Sequence, residues 1–180
     1  MVAIIFEGKS DKDMLDEFCN YHDLPKDKIK YFNFEGKDNI FEKNHEYYKE
    51  IKDGINDLQS IDKMLIIVDA DDKNDENKNR GFKASEDKLK ELIANFKFKI
   101  PIDYYIMCDE NEIGNLESLL LSMLDEGQQN CIKAFKKCYK HVLSDKWVYN
   151  SFYKHKKNKI DFDHNNFKPL KMKLTDLFRD

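Results

Sequence analysis

Several patterns are missing from this 180-residue chain. No apolar run approaches the roughly 20 residues that cross a bilayer, and no basic stretch followed by an apolar core opens the sequence. The expectation is a cytoplasmic protein with no membrane contact. The four cysteines, Cys19, Cys108, Cys131 and Cys138, include no C-x-x-C pair. They read as thiols of a reducing compartment, and as buried small hydrophobes in preference to zinc ligands. No internal repeat and no low-complexity tract stands out, which removes solenoid and fibrous architectures.

What is present is a globular composition with room for a real core. Hydrophobic residues make up 41% and charged residues 37% of the chain, and the apolar ones cluster into periodic runs. The length suits one domain, or one domain with an appendage. The net charge of −4 conceals an asymmetry. Residues 1–125 carry 18 Lys and Arg against 29 Asp and Glu, whereas residues 126–180 carry 13 against 6. An acidic body and a basic tail are compatible with a metal-binding part and an anion-attracting part, and equally with solvated surface charge.

The pattern along the chain alternates strands with helices. VAIIF at 2–6 is a short continuous apolar run, as expected of a strand covered on both faces. Ser10 with Asp13 three residues on reads as a capping-box start to a helix bearing Met14, Leu15, Phe18 and Cys19. IKYFNF at 29–34 predicts a second strand, and a mostly polar helix is expected from about Ile40 to Leu58. MLIIVDADD at 64–72 is the strongest strand signal and ends in acids. Ser85 then reads as the cap of a helix carrying Leu89, Leu92, Ile93 and Phe96, and IPIDYYIMC at 100–108 as a fourth strand. NLESLLLSML at 115–124 is helical, and beyond Gly127 only helices are expected, near 128–143, 145–156 and from Pro169. The predicted fold is therefore α/β: a mostly parallel sheet of about four strands flanked by helices over 1–125, with a basic helical extension over 126–180 packed on it.

Three acidic clusters fall where such a sheet has its ligand edge: Glu7 and Asp11 after the first strand, Asp69 and Asp71 after the third, and Glu117 past the fourth. Asp69 and Asp71, two apart at a strand end, are expected to face the same side and to offer oxygen to a hard divalent cation. Crowded carboxylates repel one another, and bound Mg²⁺ or Mn²⁺ relieves that. A lone D-x-D is weak evidence; its conjunction with E-G-x-x-D behind a first strand is stronger. Gly8 suits a turn with positive φ and close approach to phosphate, or simply a turn; Lys9 suits a phosphate contact or solvent.

IIFEGKSD, followed some 60 residues later by LIIVDADD, resembles the Toprim domain, the metal-binding fold of topoisomerases, DnaG-type primases, ribosomal RNA maturases, recombination-repair proteins and the overcoming-lysogenization-defect (OLD) nucleases. With IGNLESLLL added, the chain is most similar to a little-characterised bacterial Toprim-like group related to the OLD nucleases. That resemblance covers about residues 1–125. It implies that Glu7 is the Toprim glutamate, a general acid or base or a metal ligand. It also implies that Asp69 and Asp71 are the D-x-D metal pair, with Asp11 and Glu117 as further ligands. Asp72 and Lys73 depart from the small residues many Toprim domains place there, and no G-x-x-x-x-G-K-[ST] motif is present, so the ATP-driven half of an OLD nuclease is absent.

The function these features imply is a Mg²⁺- or Mn²⁺-dependent nuclease, or a related phosphoryl-transfer protein, acting on DNA or RNA. Lys154, Lys156, Lys157 and Lys159, with aromatic neighbours Trp147, Tyr149, Phe152 and Tyr153, are the expected polyanion contacts, although those aromatics suit helix packing better. His155 and His164 read as surface histidines. The rival expectation is a non-catalytic module that binds a metal, a nucleotide, a protein partner or a second copy of itself.

Overall fold

The middle of the sheet explains the most apolar run in the chain. The computed structural model describes residues 1–56, 60–71, 80–138, 148 and 160–179. Strand β1 (Val2–Phe6) is buried at every position because it lies between two neighbours and beneath helices on both faces. It pairs in parallel with β2 (Ile29–Asn33) on one side and β3 (Lys63–Asp69) on the other; β4 (Ile102–Met107) completes a four-stranded, all-parallel sheet of order β2-β1-β3-β4. Residue Phe6 stands opposite Asn33, and Val2 opposite Lys63.

Side chains alternate across the sheet and build two cores. Val2, Ile4, Phe6, Leu65 and Ile67 face one side, against Leu15 and Phe18 of helix α1 (Lys9–Tyr21). Ala3, Ile5, Met64, Ile66 and Val68 face the other. There they meet Ile40 of α2 (Lys37–Phe41), Ile51 and Ile55 of α3 (Glu46–Asn56), and Leu89 and Leu92 of α4 (Phe82–Asn95). The predicted α/β architecture is the one observed.

Three local expectations differ from the structure. The single helix expected over about 40–58 is two, broken after Phe41, where the Tyr48 hydroxyl donates to the Ile40 carbonyl (2.6 Å) and packs its ring near Phe34. Ser85 lies inside α4; its hydroxyl donates back to the Gly81 carbonyl (2.8 Å), and Gly81 is the residue before the helix. Cys19 is buried as expected, but Cys131 and Cys138 are exposed on α6 (Glu126–Cys138), which offers only Ile132 to the interior.

Helix α5 (Leu116–Ser122) covers the first core with Leu116, Leu119 and Leu120. So does the last helix, α7 (Lys168–Leu177), which begins beside Pro169 as expected and buries Leu170, Leu174 and Leu177 in that core, with Phe167 just before it. The end of the chain is thus a layer of the sheet's own core. Trp147, Tyr149, Phe152, Tyr153, Lys154, His155, Lys156, Lys157 and Lys159, together with Asp72 and Lys73, lie outside the described residues.

Phe167→Ala is expected to lower unfolding stability by about 3–5 kcal/mol, the range for a buried aromatic, whereas Met172→Ala on the exposed face of α7 changes it by under about 0.5 kcal/mol. Urea denaturation checks this: one cooperative transition should move as a whole, and a separate early transition for Phe167→Ala would show that α7 is not part of the common core.

Candidate functional site

In the order β2-β1-β3-β4, the chain leaves β1 for β2 on one side and returns to β3 on the other. The crevice above the carboxyl ends of β1 and β3 is the place where such sheets bind ligands. Glu7 follows β1 directly and Asp69 is the last residue of β3. Across that crevice the Asp69 backbone N–H donates to Glu7 Oε1 at 2.7 Å. Two acids 62 positions apart in sequence are thereby tied together at the switch point.

Asp11 is held close by a local device. Helix α1 starts at Lys9 with Gly8 as its cap, and the Gly8 N–H donates to Asp11 Oδ2 at 2.8 Å. The acid three places beyond the cap is therefore Asp11, and not Asp13 after Ser10, because the turn out of β1 is two residues tighter than the sequence reading placed it. Ser10 and Lys9 are exposed. Gly8 has φ −153°, an extended conformation open to any residue, and a Cβ there would meet nothing nearer than Asp11 Oδ2 at 3.9 Å. The expected positive-φ turn is absent, and the Gly8 amide is already used by Asp11.

Asp71 has partners that Asp69 lacks. The strand ends at Asp69, and Asp71 turns to φ +62° and pairs antiparallel with Gly114, its N–H donating to the Gly114 carbonyl at 2.6 Å. Gly114 has φ +96°, and a Cβ there would fall 2.2 Å from Ser118 Oγ, so the bridge depends on glycine. Asp71 Oδ2 then accepts from Lys37 Nζ at 3.0 Å and from Arg80 Nη1. The left-handed residue lies beyond the strand, so strand alternation does not set the direction of Asp71, whose charge nevertheless raises the Asp69 carboxyl.

Lys37 is the residue that sequence reasoning missed. It opens α2 after Gly36 and is 3% exposed, and besides Asp71 it donates to the carbonyls of Asp69 (2.5 Å) and Ala70 (3.3 Å). Its signal was legible: FEGK occurs at 6–9 and again at 34–37, behind two neighbouring strands, a short repeat that corrects the expectation of none. Arg80, the other cation at Asp71, is one of two arginines in the chain.

Glu117 lies in the first turn of α5, whose cap Asn115 accepts the Ser118 N–H at 3.1 Å. The residue is 8% exposed, and among the described residues its side chain forms no hydrogen bond or ion pair, although its oxygens are not among the fully buried unpartnered atoms. Burial pushes the Asp69 carboxyl well above the usual carboxylate range, and the charges of Glu7, Asp11, Asp71 and Glu117 push it further. The other four predicted acids therefore all act on Asp69. Burial likewise raises Glu7 to about 7, against the lowering effects of the Asp69 amide and of Lys37. Among the described residues, no three His, Cys, Asp or Glu side chains stand close enough to hold an ion as they are.

Residues 2–164 match the family described as a protein of unknown function, DUF3226. The chain belongs to that family. No curated protein and no solved structure matches it significantly. The DUF3226 match runs through β1–β4, α5 and α6 and covers Glu7, Asp11, Lys37, Asp69, Asp71, Arg80 and Glu117.

Because Glu7 binds its proton more tightly folded than unfolded, its favourable contribution is present below the ordinary value near 4.5 and is lost as pH rises towards 7. In EDTA, stability is expected to fall over that interval. Glu7→Gln, which keeps an acceptor for the Asp69 amide, should match the parent near pH 4.5 and exceed it by about 3 kcal/mol at pH 8. Urea midpoints across pH 4.5–8 measure this, and an unchanged slope in Glu7→Gln would exclude Glu7 as a source of the fall.

Proposed function

We propose that this protein is a divalent-metal-dependent phosphodiester hydrolase acting on nucleic acid, built on a Toprim-like acidic site. The observation that carries the reading is the Glu7–Asp69 hydrogen bond at the switch point, with both carboxyls pushed towards their protonated forms by burial and by acidic neighbours. Among the described residues no lysine or arginine forms an ion pair with the Glu7 or Asp69 carboxyl, and the oxygen donors of the rim are hard, a chemistry that suits Mg²⁺ or Mn²⁺. Glu7, Asp69 and Glu117 would hold the ion, with Asp11 and Asp71 beside them. Bound there, a divalent cation supplies Lewis-acid polarisation of a phosphate and of a water.

The chain's own residues supply the rest. A carboxyl poised near pH 7 suits Glu7 to hold or release a proton at its free oxygen while Oε1 stays fixed by the Asp69 amide. Lys37 and the Gly114 bridge fix where the backbone leaves β3. The exposed lysines of α6, Lys133 and Lys137, add positive surface that favours a polyanion.

A second reading is a non-catalytic module that binds a metal, a nucleotide or a protein partner. It is favoured by the occupation of Asp71 by Lys37 and Arg80, and by the absence of a ready-made ligand set among the described residues.

Incubation with labelled single- and double-stranded DNA and RNA in Mg²⁺ or Mn²⁺ separates the two. The hydrolase reading expects cleavage that EDTA abolishes and that Asp69→Asn lowers by at least about a hundredfold. Metal binding without cleavage of any substrate favours the module. Cleavage indifferent to Asp69→Asn and to EDTA contradicts the hydrolase reading.

A further inference from the structure

The charges of α3 are sorted by face. His45, just before the helix, and Tyr48, Lys49, Lys52 and Asn56 recur at the spacing of one stripe, whereas Glu46, Glu50 and Asp53 fall on the next stripe round. Glu50 pairs with Lys30 of β2 at 2.9 Å. The basic stripe is one wall of a cavity of about 420 Å³, and the chain leaving α4, Phe96-Lys97-Phe98, is the other. No Asp or Glu is among the described residues that line it, in a protein with 35 acids against 31 basic residues. Lys49, Lys52 and Lys97 form no hydrogen bond or ion pair among the described residues. Residues 57–59, which follow α3 and lie outside the described residues, contain one acid, Asp57, too few to neutralise three lysines.

Flat rings give the cavity a second character. Phe96 and Phe98 stack with centroids 4.8 Å apart at 17°, and Phe96 meets Tyr48 at 4.9 Å. Both phenylalanines are only partly buried, so ring surface stays open at the cavity. His45 packs on Phe34 at 4.4 Å, and its Nδ1 accepts the Tyr47 N–H at 3.4 Å, which makes Nε2 the donor nitrogen. The amides of Asn44 and Asn56 also line the space and form no hydrogen bond among the described residues. The positive patch does not continue as a track. The adjoining hollow is lined by Asp38, Glu42 and Glu91, the last paired with Lys43 at 3.5 Å, and the next stripe of α3 is acidic. A long polyanion needs positive surface beyond one cavity. This one has the size of a small-molecule site, which runs from about 300 to 1,000 Å³.

We propose that the cavity between α3 and the Phe96-Lys97-Phe98 segment binds a nucleoside diphosphate, with its base against the phenylalanine pair and its phosphates on Lys49, Lys52 and Lys97. A diphosphate ester carries about three negative charges near neutral pH, which matches the three lysines. Base stacking on aromatic rings tolerates any base, so the rings select a nucleotide over a bare phosphate without fixing which nucleotide. The His45 Nε2 and the two asparagine amides supply donors for phosphate and sugar oxygens. No residue of the acidic rim lines this cavity, so the proposal does not rest on the hydrolase reading.

Calorimetric titration of the full chain with ADP, GDP, CDP and UDP, in EDTA at low salt, tests the site without cleavage by the rim; pyrophosphate and a short single-stranded oligonucleotide are the comparison probes. One nucleotide per chain is expected, with Kd at or below about 100 μM and about tenfold or more tighter than pyrophosphate, the gain of one stacked base. Lys52→Gln combined with Lys97→Gln should weaken the nucleotide by at least about tenfold, whereas Lys28→Gln, at an exposed lysine elsewhere, should change it by less than about twofold. Phe98→Leu, with folding checked by circular dichroism, should abolish most of the preference over pyrophosphate and leave pyrophosphate binding unchanged. No nucleotide binding up to about 1 mM, binding indifferent to the two lysines, or pyrophosphate held as tightly as the nucleotides overturns the proposal. Binding of the oligonucleotide with none of the four nucleotides overturns it in favour of a strand-binding groove. None of these outcomes bears on the hydrolase reading, which its own cleavage assay decides.

Discussion

The structure turns on a charge problem at one rim. A parallel sheet ends its strands together, and here the central pair ends in carboxyls that burial and mutual repulsion drive towards protonation. The fold meets part of the problem internally. One backbone amide is given to Glu7, another to Asp11, and a buried lysine is brought across from the end of β2 to the end of β3. A lysine at 3% exposure is unusual, and it is tolerated because its ammonium finds three oxygens.

The rest of the architecture serves to keep that rim in register. Parallel pairing places the ends of β1, β2 and β3 side by side, and the amide of Phe34 donates to the carbonyl of Phe6, continuing the β1–β2 ladder to the foot of the second FEGK. Helix α1 begins at once after Gly8, which fixes Asp11, and α5 begins right after the Gly114 bridge, which fixes Glu117. Helix α7 packs beneath β3 and β4, so the strand that carries Asp69 is supported by the far end of the chain.

Much of this was legible in the sequence. Strands covered on both faces must be apolar throughout, so VAIIF and MLIIV announced themselves, and the alternation with helices fixed the sheet as parallel. The acids were legible as a set because a parallel topology collects strand ends. The start of α1 was misplaced because Asp11, Asp13 and Asp16 all lie within reach of a plausible cap, and only the tightness of the turn selects Asp11. The break between α2 and α3 carries no proline or glycine; it is made by aromatic packing of Phe34, His45, Tyr47 and Tyr48, a tertiary effect. Composition does not mark Lys37 among 31 basic residues; the repeated FEGK at 34–37 is the one sequence signal for it.

These features give one account: an acidic crevice at the ends of β1 and β3 in which Lys37 and Arg80 pair with Asp71, and at which we propose that a divalent cation binds. The most direct test is an anomalous difference map from crystals soaked in Mn²⁺. The account predicts manganese bound by carboxylate oxygens of the rim, Glu7 and Asp69 among them. No peak at the rim would contradict it.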